Sequence, residues 1–124
     1  MPITTKRFDV LERTSVRYTA KLVDDNGDAI SVNNLTAITL TVYDKKTGNI
    51  LNSRDEQDVL NTNNVTITTA GDVEWIIQPA DIAIVNANLV NETHIALFEW
   101  TWNSGTRVGK QEIELAVKNL TKVP

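Results

Sequence analysis

Hydrophobic and polar residues alternate along most of the chain, and this pattern predicts β-strands. Residues 15–22 show it clearly, because every second side chain from Val16 to Leu22 is apolar and those between them are polar. The same period recurs at 38–43, 65–68, 73–77, 93–102 and 112–117. These stretches are rich in Thr, Val and Ile, whose branched side chains favour a pleated surface that is buried on one face.

Short polar segments separate the alternating stretches and predict tight turns. They include Asp24–Asp28, Lys45–Gly48 and Asn103–Thr106. After the second of these turns we expect a short strand at Asn49–Asn52 and then a solvated loop at Arg54–Asp58. A turn signal about every ten residues is typical of a β-sandwich, so the sequence predicts an all-β, antiparallel sandwich of about seven to eight strands.

One stretch departs from the strand period and predicts a short helical crossover. Pro79 suits the first turn of a helix, where its missing N–H would have no partner anyway. Ile82, Val85 and Leu89 follow at roughly helical spacing. We expect this crossover to lie over one end of the sandwich.

Length and composition fit one folded domain. The chain has 124 residues, of which 41% are hydrophobic and 23% charged. A core can therefore form without a disulfide or a metal. We assign residues 1–124 to a single domain, in which residues 1–7 are expected to form an N-terminal arm and residues 119–124 a C-terminal tail.

Charge and cysteine content argue against several classes of function. The net charge is −4 and basic residues are scattered, whereas nucleic-acid-binding domains gather them on one face. Nucleic acid is therefore not an expected partner. The absence of cysteine excludes disulfides, thiolate catalysis and Cys-based zinc sites. No membrane-length apolar stretch and no signal-peptide pattern occurs, so neither a membrane partner nor export is expected.

The sequence contains no motif for catalysis or for a cofactor, and it favours a non-enzymatic protein without cofactor or metal. The single histidine, His94, has no nucleophile beside it, so we interpret it as a strand residue. The acidic segments Asp24–Asp28 and Asp55–Asp58 are alternative cation ligands. Gly27 falls too early for an EF-hand loop, and no glutamate follows at the required spacing. A plain turn and a solvated loop are the favoured interpretations.

The three tryptophans are candidates for the core or for anchoring a partner. Trp75 alternates with Val73 and Ile77, and Trp100 shares a strand face with Phe98. Both tryptophans are therefore predicted to be core residues. Trp102 lies at the end of the same strand as Trp100, and it is a candidate either for the core or for anchoring a partner.

Four segments in order carry a resemblance to a known family. They are Ser15–Ile30 with its acidic turn, Leu35–Gly48, Gly71–Ile82 and Ala96–Gly105. In this order they resemble the small immunoglobulin-like β-sandwich proteins of tailed bacteriophages, such as the N-terminal domain of baseplate upper proteins. The resemblance spans roughly residues 8–118. Those relatives continue into further domains, whereas this sequence ends at Pro124, which favours a small accessory virion protein.

The resemblance implies an immunoglobulin-like fold and a structural role in a virion that is assembled in the bacterial cytoplasm. Such a protein binds other virion proteins in capsid decoration, at the neck or at the attachment of fibres or baseplate, and forms a symmetric homo-oligomer. A carbohydrate-binding or adhesion module on a fibre or cell surface is the alternative. A module of a bacterial surface protein has less support. The fold alone does not select among these functions.

Five residues are candidates for partner binding. Lys6 and Arg7 belong to the N-terminal arm and Lys122 to the C-terminal tail, and both segments are expected to reach neighbouring proteins. Tyr43 is an aromatic candidate for an exposed sugar or protein contact. Trp102 ends a strand beside a Gly-containing turn, where it either covers the core edge or anchors a partner.

Overall fold

The alternating stretches form eight β-strands. The computed structural model describes residues 4–11, 14–24, 26–86, 88–103 and 105–119, with only the backbone described at 4–8. The strands are β1 (Thr4–Leu11), β2 (Val16–Lys21), β3 (Leu35–Asp44), β4 (Gln57–Asp58), β5 (Val65–Ile67), β6 (Asp72–Ile77), β7 (Asn91–Trp102) and β8 (Arg107–Lys118). Two 3-10 helices lie at Val32–Asn34 and Pro79–Ile82. Within these ranges no helix is long and apolar enough to cross a membrane.

The strands divide into two sheets with an immunoglobulin-like order. One sheet runs β1-β8-β7-β3-β4 and the other β2-β6-β5. This order matches the C-F-G and B-E-D groupings of the immunoglobulin fold, with β1 added beside the last strand. The prediction of an all-β, immunoglobulin-like sandwich is therefore confirmed. It is not wholly antiparallel, because β1 and β8 run parallel.

The N-terminal segment belongs to the sheet rather than to a free arm. Residues Thr4–Leu11 pair in register with residues 111–118 of β8. The arm prediction is therefore wrong for residues 4–7, while residues 1–3 lie outside the described ranges. Backbone pairing at a sheet edge does not need hydrophobic side chains on both faces, so a polar sequence concealed this strand. Of the predicted tail, Asn119 is buried and its backbone N–H donates to the oxygen of Val90, at 2.9 Å.

The core lies between the sheets and uses the inner faces that the alternation predicted. Trp75 of β6 is fully buried and meets Phe98 of β7 edge to face, with ring centroids 5.5 Å apart. Tyr18 of β2 stacks on Phe98 at 6.4 Å. Trp100 is also buried, so the prediction that Trp75 and Trp100 are core residues is confirmed. These aromatic contacts join one sheet to the other.

The connection between β6 and β7 is less helical than its spacing predicted. The prediction is correct for Pro79–Ile82, which forms a 3-10 helix, and wrong for the residues that follow. The backbone N–H groups of Val85 and Asn86 donate to the carboxylate of Glu92, at 2.6 and 2.9 Å. Because a side chain takes these donors, they are not used in helical hydrogen bonds.

The segment after β3 differs from its prediction in two ways. Instead of a strand at Asn49–Asn52, only Ile50 forms an isolated bridge, with Tyr43. The segment Arg54–Asp58, which was predicted to be a solvated loop, contains β4. Arg54, the first residue of this segment, is only 1% exposed. A local polar pattern did not reveal this burial because most partners of Arg54 lie farther along the chain.

The acidic turn after β2 is held by its own first residue. One carboxylate oxygen of Asp24 accepts hydrogen bonds from the N–H groups of Asn26 and Asp28, at 2.9 and 3.0 Å. These bonds make an Asx turn, in agreement with the interpretation of this segment as a plain turn.

Candidate functional site

The structure does not gather the predicted partner-binding residues into one site. Lys6 and Arg7 lie on the edge strand β1, and Lys122 lies outside the described residues. Tyr43 is half-buried on the outer face of β3, where it pairs with Ile95. Tyr43 is thus placed far along β3 from the strand end that carries the partner of Trp102.

Trp102 covers the end of the core and is only 8% exposed. It pairs with Leu35 of β3 on one side and with Arg107 of β8 on the other. The alternation of β7 places the side chain of Trp102 on the inner face, together with that of Trp100. The core-edge alternative is therefore confirmed, and the prediction of an exposed aromatic anchor at Trp102 is wrong.

A buried ion pair joins the loop after β3 to the 3-10 helix after β6. Nε of Arg54 lies 2.6 Å from Oδ1 of Asp81, and the two side chains are 2% and 0% exposed. The other guanidinium nitrogens donate to side-chain oxygens of Gln57 and Asn64 and to the backbone oxygen of Asn63. Every described partner of this charge is an acceptor, as burial of a guanidinium requires.

A second buried pair lies beside the first. Nε2 of His94 is 2.6 Å from Oε1 of Glu92, and Nδ1 is 3.1 Å from the backbone oxygen of Asp81. A backbone carbonyl can only accept, so Nδ1 carries a hydrogen. The same Glu92 carboxylate holds the two backbone N–H groups of the β6–β7 connection.

Asp44 completes a group of three side chains with metal-ligand chemistry. Ligand atoms of Asp44, Glu92 and His94 all lie within 4.8 Å of one another. Tetrahedral zinc ligands at their usual bond lengths stand roughly 3.3 Å apart, whereas Nε2 of His94 and Oε1 of Glu92 are 2.6 Å apart. Asp44 also accepts from the backbone N–H and the hydroxyl of Thr47, at 3.1 and 2.7 Å. The separation of Nε2 of His94 and Oε1 of Glu92 is a hydrogen-bond distance.

These buried groups join separate segments of the fold. A general base needs a ring nitrogen that can reach a substrate, but both nitrogens of His94 are engaged and the residue is 0% exposed. The interpretation of His94 as a strand residue omitted this network. Its sequence signal was weak, because the interacting residues lie in separate segments and each one alone resembles an ordinary loop or strand residue.

β2 is one of the two edge strands of the smaller sheet. β2 pairs with β6 on one side, and no described strand pairs with its other side. The N–H of Leu22, just beyond β2, donates to Gly71 in the β6 direction. Backbone groups alternate along a strand, so those of Arg17, Thr19 and Lys21 point toward the open edge.

A shallow groove accompanies this edge on the outer face of the same sheet. Its volume is about 470 Å³, and its lining includes Thr19, Thr66 and Thr68. Two exposed ion pairs lie on this sheet, each with a nitrogen–oxygen distance of 3.6 Å: Arg17–Glu74 and Lys21–Asp72. The sequence analysis named edge strands in general but did not identify β2 or this groove.

A polar cleft of about 550 Å³ opens at the end of the sandwich beside Trp102. The β2–β3 connection and the turn between β7 and β8 supply its walls. Its polar lining includes Asp24, Asn26, Asn33, Asn34, Asn103 and Arg107.

In comparisons with known proteins, no protein-family model and no curated protein matches this chain.

Proposed function

We propose that this protein is a non-enzymatic structural component of a tailed-phage virion, and that it binds a neighbouring virion protein by strand addition at β2. The observation that carries the proposal is the open backbone edge of β2, which lies beside the groove on the outer face of the smaller sheet. An unpaired edge presents N–H and C=O groups that an extended segment of another chain can satisfy.

The backbone supplies the affinity in this mode of binding. Three residues of β2 direct their backbone groups outward: Arg17, Thr19 and Lys21. In strand addition these main-chain hydrogen bonds hold the partner, while pockets for alternate side chains select it. β2 is six residues long, whereas the edge strands β4 and β5 have two and three residues. The remaining edge strand, β1, belongs to the other sheet and has eight residues.

The groove defines which partner segment fits. Threonines 19, 66 and 68 line it together with Ala20 and Val73, so it offers methyl groups and hydroxyls beside the charged side chains of Lys21, Asp72 and Glu74. The charged residues of the same face are already matched with one another in exposed pairs. An uncharged strand with small or β-branched side chains therefore suits the groove, and the charges at Arg17 and Lys21 disfavour indiscriminate edge-to-edge pairing.

The virion setting comes from the sequence resemblance to immunoglobulin-like proteins of tailed phages. The partners proposed are accordingly other virion proteins in a symmetric array, and the protein reaches the particle from the host cytoplasm. The immunoglobulin-like sheet order agrees with that resemblance, although this fold serves many functions.

Light scattering of the purified protein and its co-sedimentation with intact particles test this proposal. Particles purified from the strain that carries the gene should bind the protein saturably, and the stoichiometry then distinguishes capsid decoration from the neck or baseplate. A protein that neither occurs in nor binds to these particles would contradict the virion role.

A further inference from the structure

The loop-end cleft beside Trp102 has the chemistry of a ligand site, and no residue of it takes part in the β2 edge. We propose that this cleft binds a neutral carbohydrate through the carboxamide side chains that line it. The proposal does not rest on the virion role.

The first argument is an excess of free carboxamides. The side chains of Asn26, Asn33, Asn34 and Asn103 line the cleft and are exposed. None of these four amides makes a side-chain hydrogen bond within the described part of the chain. A carboxamide both donates and accepts, and the hydroxyl groups of a sugar do the same. Four amides that line one cleft therefore complement a polyhydroxylated ligand.

The second argument is the charge of the lining. Among the described residues that line the cleft, Arg107 is the only cationic side chain and Asp24 the only anionic one. One carboxylate oxygen of Asp24 is already used in the Asx turn. A phosphate-bearing ligand would call for several cations, and a calcium ion would call for several carboxylates. The described part of the lining meets neither requirement, which favours a neutral ligand.

The third argument is preorganisation. Leu35, Trp102 and Arg107 form one cross-strand row at the base of the cleft. The register of β3 shifts between Leu35 and Ala37, and such irregularities often redirect side chains at binding sites. Asn33 lies in a 3-10 helix whose cap, Ser31, accepts from its backbone N–H at 3.2 Å. The amides are thus presented from held backbone rather than from a free loop.

The size of the cleft suits this ligand class. Its volume of about 550 Å³ lies within the range of roughly 300–1,000 Å³ that is usual for small-molecule sites. Trp102 is largely covered, so the proposed recognition uses hydrogen bonds to the sugar rather than stacking on an exposed indole.

A panel of neutral oligosaccharides tests the proposal. The full-length protein is screened against hexose, N-acetylhexosamine and deoxyhexose oligomers, and the best oligomer is titrated while the side-chain amide signals are followed by NMR. Asn33→Ala should weaken binding roughly 2- to 10-fold, as expected for the loss of one neutral hydrogen bond. Asn49→Ala is the matched control, because Asn49 is an exposed asparagine beyond the other end of β3 and should leave the affinity unchanged.

Three results would overturn the proposal. One is the absence of binding to every oligomer at about 1 mM, the affinity range of a weak single site. Another is binding that Asn33→Ala and Asn34→Ala leave unchanged. The third is displacement of the sugar by inorganic phosphate or calcium with the same amide shifts, which would assign the cleft to an ion. Blocking the β2 edge should not alter sugar binding, so the two proposals can fail separately.

Discussion

Arg54 and Asp81, which are 27 residues apart in the chain, meet in a buried ion pair at 2.6 Å. This contact ties the loop that follows β3 to the 3-10 helix that follows β6. Asp81 also accepts from the side-chain amide of Asn52, and its backbone oxygen contacts the ring of His94. Asp81 thereby joins the loop after β3 and the 3-10 helix after β6 to the inner face of β7.

Replacing Arg54 with methionine should strongly destabilise the fold. Arg54→Met keeps an apolar stem of similar length but leaves the carboxylate of Asp81 buried without its cation. The expected loss is about 3–5 kcal/mol in the free energy of unfolding, measured by urea denaturation. The matched control is Arg17→Met, which removes an exposed ion pair and should cost at most about 1 kcal/mol. Equal effects of the two substitutions would contradict the role given to the buried pair.

Gly109 is expected to be intolerant of a side chain because of Trp100. The two residues pair directly across β7 and β8, and a Cβ at Gly109 would lie 2.5 Å from the indole ring. Gly109→Ala should therefore lower the free energy of unfolding by about 1–3 kcal/mol through overpacking. Val108→Ala, at a neighbouring residue that is 52% exposed, is the control. A Gly109→Ala variant that is as stable as wild type in thermal unfolding would contradict the close packing of Trp100 over this glycine.

Glu92 is predicted to hold the β6–β7 connection in place. Glu92→Gln removes the charge and replaces one of the two acceptor oxygens that bind Val85 and Asn86. Amide hydrogen exchange at these two residues should then accelerate roughly 10- to 100-fold, as expected for the loss of charge-assisted hydrogen bonds. Glu99→Gln, on the outer face of β7, should leave those amides unchanged. Unaltered exchange in Glu92→Gln would show that the connection is held by other contacts.

Tyr18 should make stability fall in alkaline solution. Burial raises the pKa of the Tyr18 phenol above its ordinary value of 10.0, because the phenolate would lose its hydration. The unfolded chain therefore releases this proton at lower pH than the folded one. The corresponding stability is fully present below pH 10.0 and is lost as the pH rises through the higher folded pKa.

Denaturation as a function of pH checks this prediction. Between pH 9 and 11, about one pH unit on either side of the free phenol's midpoint, the wild type should lose more stability than Tyr18→Phe. Parallel pH profiles for the two proteins would contradict it.

The inner faces of the strands could be predicted from the sequence because they depend on local alternation. The apolar positions of β7, including Phe98 and Trp100, are buried as that pattern requires. β1 was missed because its pairing partner, β8, is about a hundred residues away in sequence and its own composition is polar. Parallel pairing at an edge leaves no short-range signal.

The polar networks could not be predicted for a related reason. Arg54, Asp81 and His94 each lie in a segment with an ordinary local pattern, and only the tertiary fold brings them together. The cleft was not predicted, although the sequence analysis named a carbohydrate-binding module as the alternative function. The arrangement of its amides around Trp102 depends on the pairing of β3, β7 and β8, which alternation does not specify.

Incorporation of Thr19 variants into particles tests the central claim most directly. Proline at position 19 removes an N–H from the open edge of β2, and proline is tolerated on edge strands where the N–H faces solvent. Alanine removes the same side chain but keeps the N–H. Mass spectrometry of gradient-purified virions should find wild type and Thr19→Ala at a fixed copy number and folded Thr19→Pro strongly depleted. Equal incorporation of Thr19→Pro, or absence of the wild-type protein from the virions, would contradict the account.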